Sequence, residues 1–182
     1  MKVTLESLCK TIDHSLLQPY FTEKHITAGI EKALSYPFKC IFVLPSWLPL
    51  AVRLLRGTPI KAGTGIGFPF GSHASEVKLK ELEIALEQGA EEVDIVMNIG
   101  AFKSGAWQLV VDETALAVEK AKAAGVVSKL IIETCYLTPE EIKKASALAL
   151  KAGVDFIKTS TGFGTRGATL EDVKLIKETV GN

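Results

Sequence analysis

"TPEEIKKASALALKAGVDFIKTS", residues 138–160, carries one full repeat of the rhythm that decides the fold. Thr138-Pro139-Glu140-Glu141 combines an N-cap, a proline in the first turn and a capping-box glutamate three residues on. Gly153 follows an Ala/Lys-rich segment at the point where a left-handed C-cap favours glycine. Val154, Phe156 and Ile157 then read as a strand running into Lys158, Thr159 and Ser160. The stretch predicts a helix over 138–152 and a strand over 154–160.

The same alternation recurs on both sides. Apolar, β-branched strand segments are expected at 12–17, 39–44, 60–67, 92–97 and 129–134. Amphipathic helices are expected at 22–35, 46–56, 72–89, 105–124 and 169–180, with a short one near 4–10. Gly89 and Gly125 close two of these helices as Gly153 does. Strands with almost no polar alternation are buried on both faces, as in a parallel sheet covered by helices. The protein is therefore α/β, a single domain over residues 1–182 with six βα units. A closed (β/α)8 barrel takes eight strands and about 250 residues. The rhythm here stops after the sixth helix, at "KETVGN". An open doubly wound sheet and a barrel lacking its last quarter both fit.

Composition excludes several classes. Formal net charge is zero and 47% of the residues are hydrophobic. No basic run suits a nucleic-acid surface, and no acidic tail is present. The longest apolar stretch, "CIFVLPSWLPLAV" (40–52), contains two prolines and is too short to span a bilayer. The N-terminus "MKVTLESLCK" lacks a signal-peptide core, so a cytoplasmic location is expected. Cys9, Cys40 and Cys135 form no CxxC, and Cys40 and Cys135 lie in apolar runs as small core residues. His14, His25 and His73 have no close ligand partners in sequence, so no metal and no cofactor are expected.

Polar residues gather toward the ends of the predicted strands: Asp94 and Asn98 with the fourth, Glu133 and Thr134 with the fifth, and Lys158 to Thr161 with the sixth. Asp13 falls in the first strand. In either α/β architecture the strand-end loops form the functional edge. A lysine in a buried strand has two readings. Lys158 is either one half of a structural ion pair, with Asp94 or Glu133 as its partner, or an amine that attacks carbonyls to form a Schiff base. Asp94 is correspondingly a satisfied buried carboxylate or a proton carrier beside that amine. "GTGIGFPFG" (63–71) lacks the GK[ST] ending of a P-loop and reads as a strand-to-helix loop over a cleft. "GFGTRG" (162–167) matches GxGxxG formally, which admits a dinucleotide-binding oxidoreductase. No ribose-binding acid follows about 20 residues on, and Lys158 stays unexplained by that reading.

"IDHSLLQP" (12–19), "GIGFPFG" (65–71), "EEVDIVMNIGAFKSG" (91–105), "KLIIETCYLT" (129–138) and "DFIKTSTGFGTRGAT" (155–169) together resemble the deoxyribose-phosphate aldolase family. The resemblance runs from about residue 8 onward and implies a TIM (β/α)8-type barrel, here incomplete with about six βα units. It implies a metal-independent class I aldolase that cleaves 2-deoxyribose 5-phosphate to glyceraldehyde 3-phosphate and acetaldehyde. By motif, Lys158 matches the Schiff-base lysine and Asp94 the proton-relay aspartate. Asp13 in "IDHS" and Thr161 in "KTST" match positions near the substrate. The implied partners are a phosphorylated sugar and aldehydes, without nucleic acid or membrane, with homo-oligomerisation left open. The family's second lysine on strand seven and its phosphate-binding loops after strands seven and eight have no counterpart here. The expectation is thus a C-terminally truncated barrel, and an impaired remnant serving as an interaction module is the alternative. Leu44 in "FVLP" stands where relatives commonly have asparagine.

Overall fold

The computed structural model describes residues 3–181. Six strands alternate with helices: β1 (Asp13–Leu16), β2 (Cys40–Val43), β3 (Lys61–Ile66), β4 (Glu92–Val96), β5 (Val127–Ile131) and β6 (Phe156–Lys158). The helices are α1 (Leu5–Cys9), α2 (Glu23–Ala33), α3 (Leu48–Leu55), α4 (Ser75–Glu87), α5 (Ile99–Lys103), α6 (Trp107–Ala123), α7 (Pro139–Ala152) and α8 (Leu170–Val180). The chain packs as two compact units that interleave in sequence. One comprises the chain up to Gly65 together with Ile84–Glu92; the other comprises Ile66–Glu83 and the chain from Val93 onward.

In the first unit β1, β2 and β3 pair in parallel, with Asp13 opposite Cys40 and Cys40 opposite Lys61. All four residues of β2 are buried, as a parallel strand covered on both faces requires. Ile26 and Ile30 of α2 and Leu48 of α3 complete this core. In the second unit β5 and β6 pair in parallel, with Lys129 opposite Phe156 and Ile131 opposite Lys158. Within each unit, strand order is chain order.

Local signals explain most element ends. Thr138 Oγ1 accepts from the Glu141 N–H at 3.2 Å, and the Thr138 N–H donates back to Glu141 Oε2 at 2.9 Å. Gly153 then stops α7 at φ 80°.

The helix expected at 105–124 is α6 (Trp107–Ala123), and an additional short helix, α5, precedes it, capped by Asn98, which accepts from the Ala101 N–H. Three expectations are corrected. The segment expected at 46–56 opens as a 3-10 turn, Pro45–Trp47, before α3. The fifth strand runs over Val127–Ile131 rather than 129–134, since Glu133 is left-handed at φ 50° and starts a 3-10 turn, Thr134–Tyr136. Cys135 lies in that turn and is half-buried, not a core strand residue; Cys40 is fully buried as expected.

Candidate active site

Side chains alternate along a strand, and directly paired residues of parallel neighbours share a face. Lys129 and Ile131 of β5 therefore face the same way as Phe156 and Lys158 of β6. Lys158 Nζ donates to Asp94 Oδ2 in a direct ion pair, and Lys129 Nζ donates to Asp94 Oδ1 at 3.3 Å. One carboxylate at the centre of β4 is thus held by lysines from two other strands. The Asp94 and Lys129 side chains are buried, whereas that of Lys158 is 28% exposed. The Lys158 side chain is partly open to solvent, and the carboxylate it contacts is shielded from water.

The backbone carrying Lys158 is held beyond the strand itself. The Ile132 N–H donates to the Lys158 carbonyl at 3.0 Å, and the Thr134 N–H donates to the Thr159 carbonyl at 2.8 Å. The amine consequently projects from fixed backbone rather than from a loose loop. Of the two ion-pair partners expected for Lys158, the structure selects Asp94. Sequence reasoning missed Lys129, although the criterion that singled out Lys158, a lysine inside an apolar strand, applies equally to "SKLII".

Glu133 and Thr161 form a second cluster. The Thr161 N–H donates to both Glu133 oxygens at 3.2 and 3.3 Å, and Thr161 Oγ1 donates to Glu133 Oε2. A left-handed non-glycine residue costs about 1–2 kcal/mol, and these bonds are what hold Glu133 there. Gly164 lets the loop close on this pair, since a Cβ there would lie 2.5 Å from Cys135 Sγ. Thr161 also lines a cavity of about 170 Å3 with Phe70, Ile99, Glu133, Tyr136 and Phe163.

Asp13 opens β1 at its N-terminal end, opposite Cys40, and so stands at the start of its strand rather than at a strand end. His14 stacks on Phe38, and the His25 Nδ1 accepts from the Thr22 N–H, so both have structural work. Among the described residues no group of three or more His, Cys, Asp or Glu side chains is placed to hold a metal ion.

"GFGTRG" does not build a dinucleotide turn. α8 begins at Leu170, capped by Thr169, after the motif has ended. Arg166 instead folds back to grip Asp172 with both terminal nitrogens, and Asp172 also accepts from Thr134 Oγ1 at 2.8 Å.

The Arg166 guanidinium holds the buried Asp172 carboxyl below the usual carboxylate range, with Thr134 and Thr169 in support. A group with a pKa lowered by folding binds protons more tightly when unfolded. Its contribution is therefore full above the ordinary aspartate value of about 4 and is lost as pH falls through the lower folded value. Asp172→Asn is expected to lower Tm at neutral pH and to flatten the fall of Tm below about pH 4. Thermal melts across that range check this, and an acid limb identical to the parent's contradicts it.

A parallel βα protein with a partly exposed lysine on a buried carboxylate holds the kind of pair that carbon–carbon bond chemistry through an amine requires. A model for the DeoC/LacD family of aldolases matches residues 15–182, and the chain belongs to that family. It is accordingly a carbon–carbon lyase. A deoxyribose-phosphate aldolase of Streptococcus sanguinis is 49% identical over 174 residues, which is 96% of this chain and 78% of that protein. One of Carboxydothermus hydrogenoformans is 48% identical over 181 residues, covering 98% of this chain and 79% of the relative.

Solved structures agree. A tetrameric deoxyribose phosphate aldolase of Aeropyrum pernix superposes with a TM-score of 0.89 at 31% identity, over 97% of this chain and 74% of that one. An aldolase termed QR15 gives 0.89 at 42% identity, over 94% and 76%. The fold is of the TIM-barrel type.

Proposed function

We propose that the chain cleaves 2-deoxy-D-ribose 5-phosphate reversibly to D-glyceraldehyde 3-phosphate and acetaldehyde, in deoxyribonucleoside breakdown, with Lys158 as the imine-forming amine. The observation that carries this reading is the Lys158 side chain, partly exposed and in direct contact through its Nζ with the buried Asp94.

Amine attack on a carbonyl needs a neutral nitrogen, and the Asp94 carboxylate is the group placed to take the proton. Attack of Lys158 on the sugar aldehyde gives a carbinolamine, and loss of water gives a protonated imine. Deprotonation of the C3 hydroxyl then breaks the C2–C3 bond. Its electron pair passes to the iminium nitrogen, giving an enamine and releasing glyceraldehyde 3-phosphate. Protonation of the enamine carbon and hydrolysis of the imine free acetaldehyde and return the amine. Asp94, directly or through an ordered water, serves these proton transfers.

Thr161 is read as a substrate-side residue on its motif, and it lines a cavity with Phe70, Glu133 and Phe163. Asp13 is retained as a substrate-side residue on its motif alone. We further read the chain as one barrel domain over 1–182 that works in the cytoplasm on small molecules, without nucleic acid or membrane partners, and that self-associates. Zero formal net charge supports the absence of a nucleic-acid surface, and among the described residues no helix is long and apolar enough to cross a membrane. The tetrameric relative supports self-association.

Incubation with acetaldehyde and borohydride followed by peptide mass mapping tests the reading. A two-carbon label on Lys158, together with acetaldehyde release from 2-deoxyribose 5-phosphate, is expected. Label on another lysine, with Lys158 untouched, overturns it.

A further inference from the structure

Lys78 of α4 and Glu113 of α6 form an ion pair that the chemistry above does not use. Both side chains are only 2% exposed. Lys78 Nζ donates to Glu113 Oε1 and, at 2.7 Å, to the Val96 carbonyl; Ser75 Oγ donates to Glu113 Oε2 at 2.7 Å. Val96 ends β4 two residues after Asp94, and the next N–H, that of Met97, donates to the Ile131 carbonyl at 3.0 Å. The exit of β4 is therefore held from two directions, by α4 through one carbonyl and by β5 through the following N–H.

The loop between β3 and α4 is locked to the same point. The Gly67 N–H donates to Glu81 Oε2 at 2.6 Å. A Cβ on Gly67 would lie 2.9 Å from Lys78 Cε, so the lysine stem packs directly under this turn. Gly71, at φ 67°, sits where a Cβ would lie 2.1 Å from the Met97 carbonyl oxygen. Only glycine permits that approach.

We propose that Lys78, with Glu113 as its counter-charge, is a positioning residue for Asp94: it pins the exit of β4 so that the carboxylate keeps its place against Lys158. The proposal rests on the roles of Asp94 and Lys158 given under the proposed function. Stability alone is a poor reason for such a pair. Apolar residues of similar volume in place of a buried ion pair are often neutral or stabilising. Directed bonds offer what apolar packing does not, a fixed position for one particular carbonyl. Burial also pulls the Lys78 ammonium below its ordinary pKa, a cost that the Glu113 carboxylate offsets.

The test is the double variant Lys78→Met with Glu113→Leu, which leaves no stranded charge. It is expected to fold with a Tm at or above the parent's and to accept the acetaldehyde–borohydride label on Lys158. Its kcat is expected to fall roughly 10- to 100-fold, with KM within about threefold, because displacement of a reacting group by about 1 Å can cost on the order of 100-fold. A crystal structure of the variant is expected to show Asp94 shifted away from Lys158. Unchanged kcat with Asp94 in place overturns the proposal. A double variant that does not fold assigns the pair to stability and overturns it equally. Failure of the parent to take label on Lys158 is a different result: it removes the catalytic reading, and the position of Asp94 in the variant crystal still decides the positioning claim.

Discussion

Lys158→Arg is expected to lose at least about 10⁴-fold in kcat, the scale seen when a covalent nucleophile is removed, and to take no label from acetaldehyde and borohydride. Arginine keeps the positive charge and can still pair with Asp94, but it does not deprotonate in proteins and cannot form the imine. Lys158→Met removes both charge and nucleophile and is expected to be equally inactive. The comparison separates two roles that the ion pair combines. If the pair with Asp94 were the whole function of Lys158, arginine would retain activity and methionine would not. Because the side chain is 28% exposed and Asp94 keeps its bond to Lys129, neither variant is expected to lose much stability. Circular-dichroism melts close to the parent's would show that the lost activity is not lost fold. Measurable turnover in Lys158→Arg would sink the assignment.

The fold was legible in the sequence where local chemistry and tertiary packing agree. Capping at Thr138 and Glu141, the glycine stop at 153 and the unbroken apolar run of β2 each appear as read, because each rests on a local rule that nothing overrides. Errors fell at strand ends. Ile132, Glu133 and Thr134 look like strand by composition, yet Glu133 turns left-handed there because Thr161, far along the chain, supplies the bonds that hold it. The five-residue helix α5 is too short for periodicity to reveal.

The candidate site was legible in its two principal members and not in its third. Lys158 and Asp94 drew attention as charges inside apolar strands. Lys129 sits in the same kind of strand, but it stood at the edge of the expected segment, where a lysine reads as solvated. Register decides the matter: pairing of Ile131 with Lys158 sets Lys129 on the Asp94 side of the sheet. Lys78 escaped notice for the opposite reason. In an amphipathic helix rich in Lys and Glu, one buried lysine has no signature of its own, and only the contacts with Glu113 and Val96 distinguish it.

Lys129 also determines what Asp94→Asn does. The amide preserves the shape of the carboxylate but removes the charge opposite a buried ammonium. Breaking a buried pair in this way costs on the order of 3 kcal/mol, or roughly 6–12 °C in Tm for a chain of this size. Loss of a proton carrier separately lowers kcat by about 10² to 10⁴. A single variant confounds the two effects, and Asp94→Asn combined with Lys129→Met separates them. Removing the Lys129 ammonium as well is expected to return part of the lost Tm and none of the lost kcat. Non-additivity in stability with additivity in rate is the pattern of a residue that acts on the reaction directly and on the fold through a neighbour. Melts and steady-state rates on the parent, both single variants and the double variant close the cycle. Recovery of rate along with Tm in the double variant would assign Asp94 to structure alone, and kcat within threefold of the parent in Asp94→Asn would remove it from the chemistry altogether.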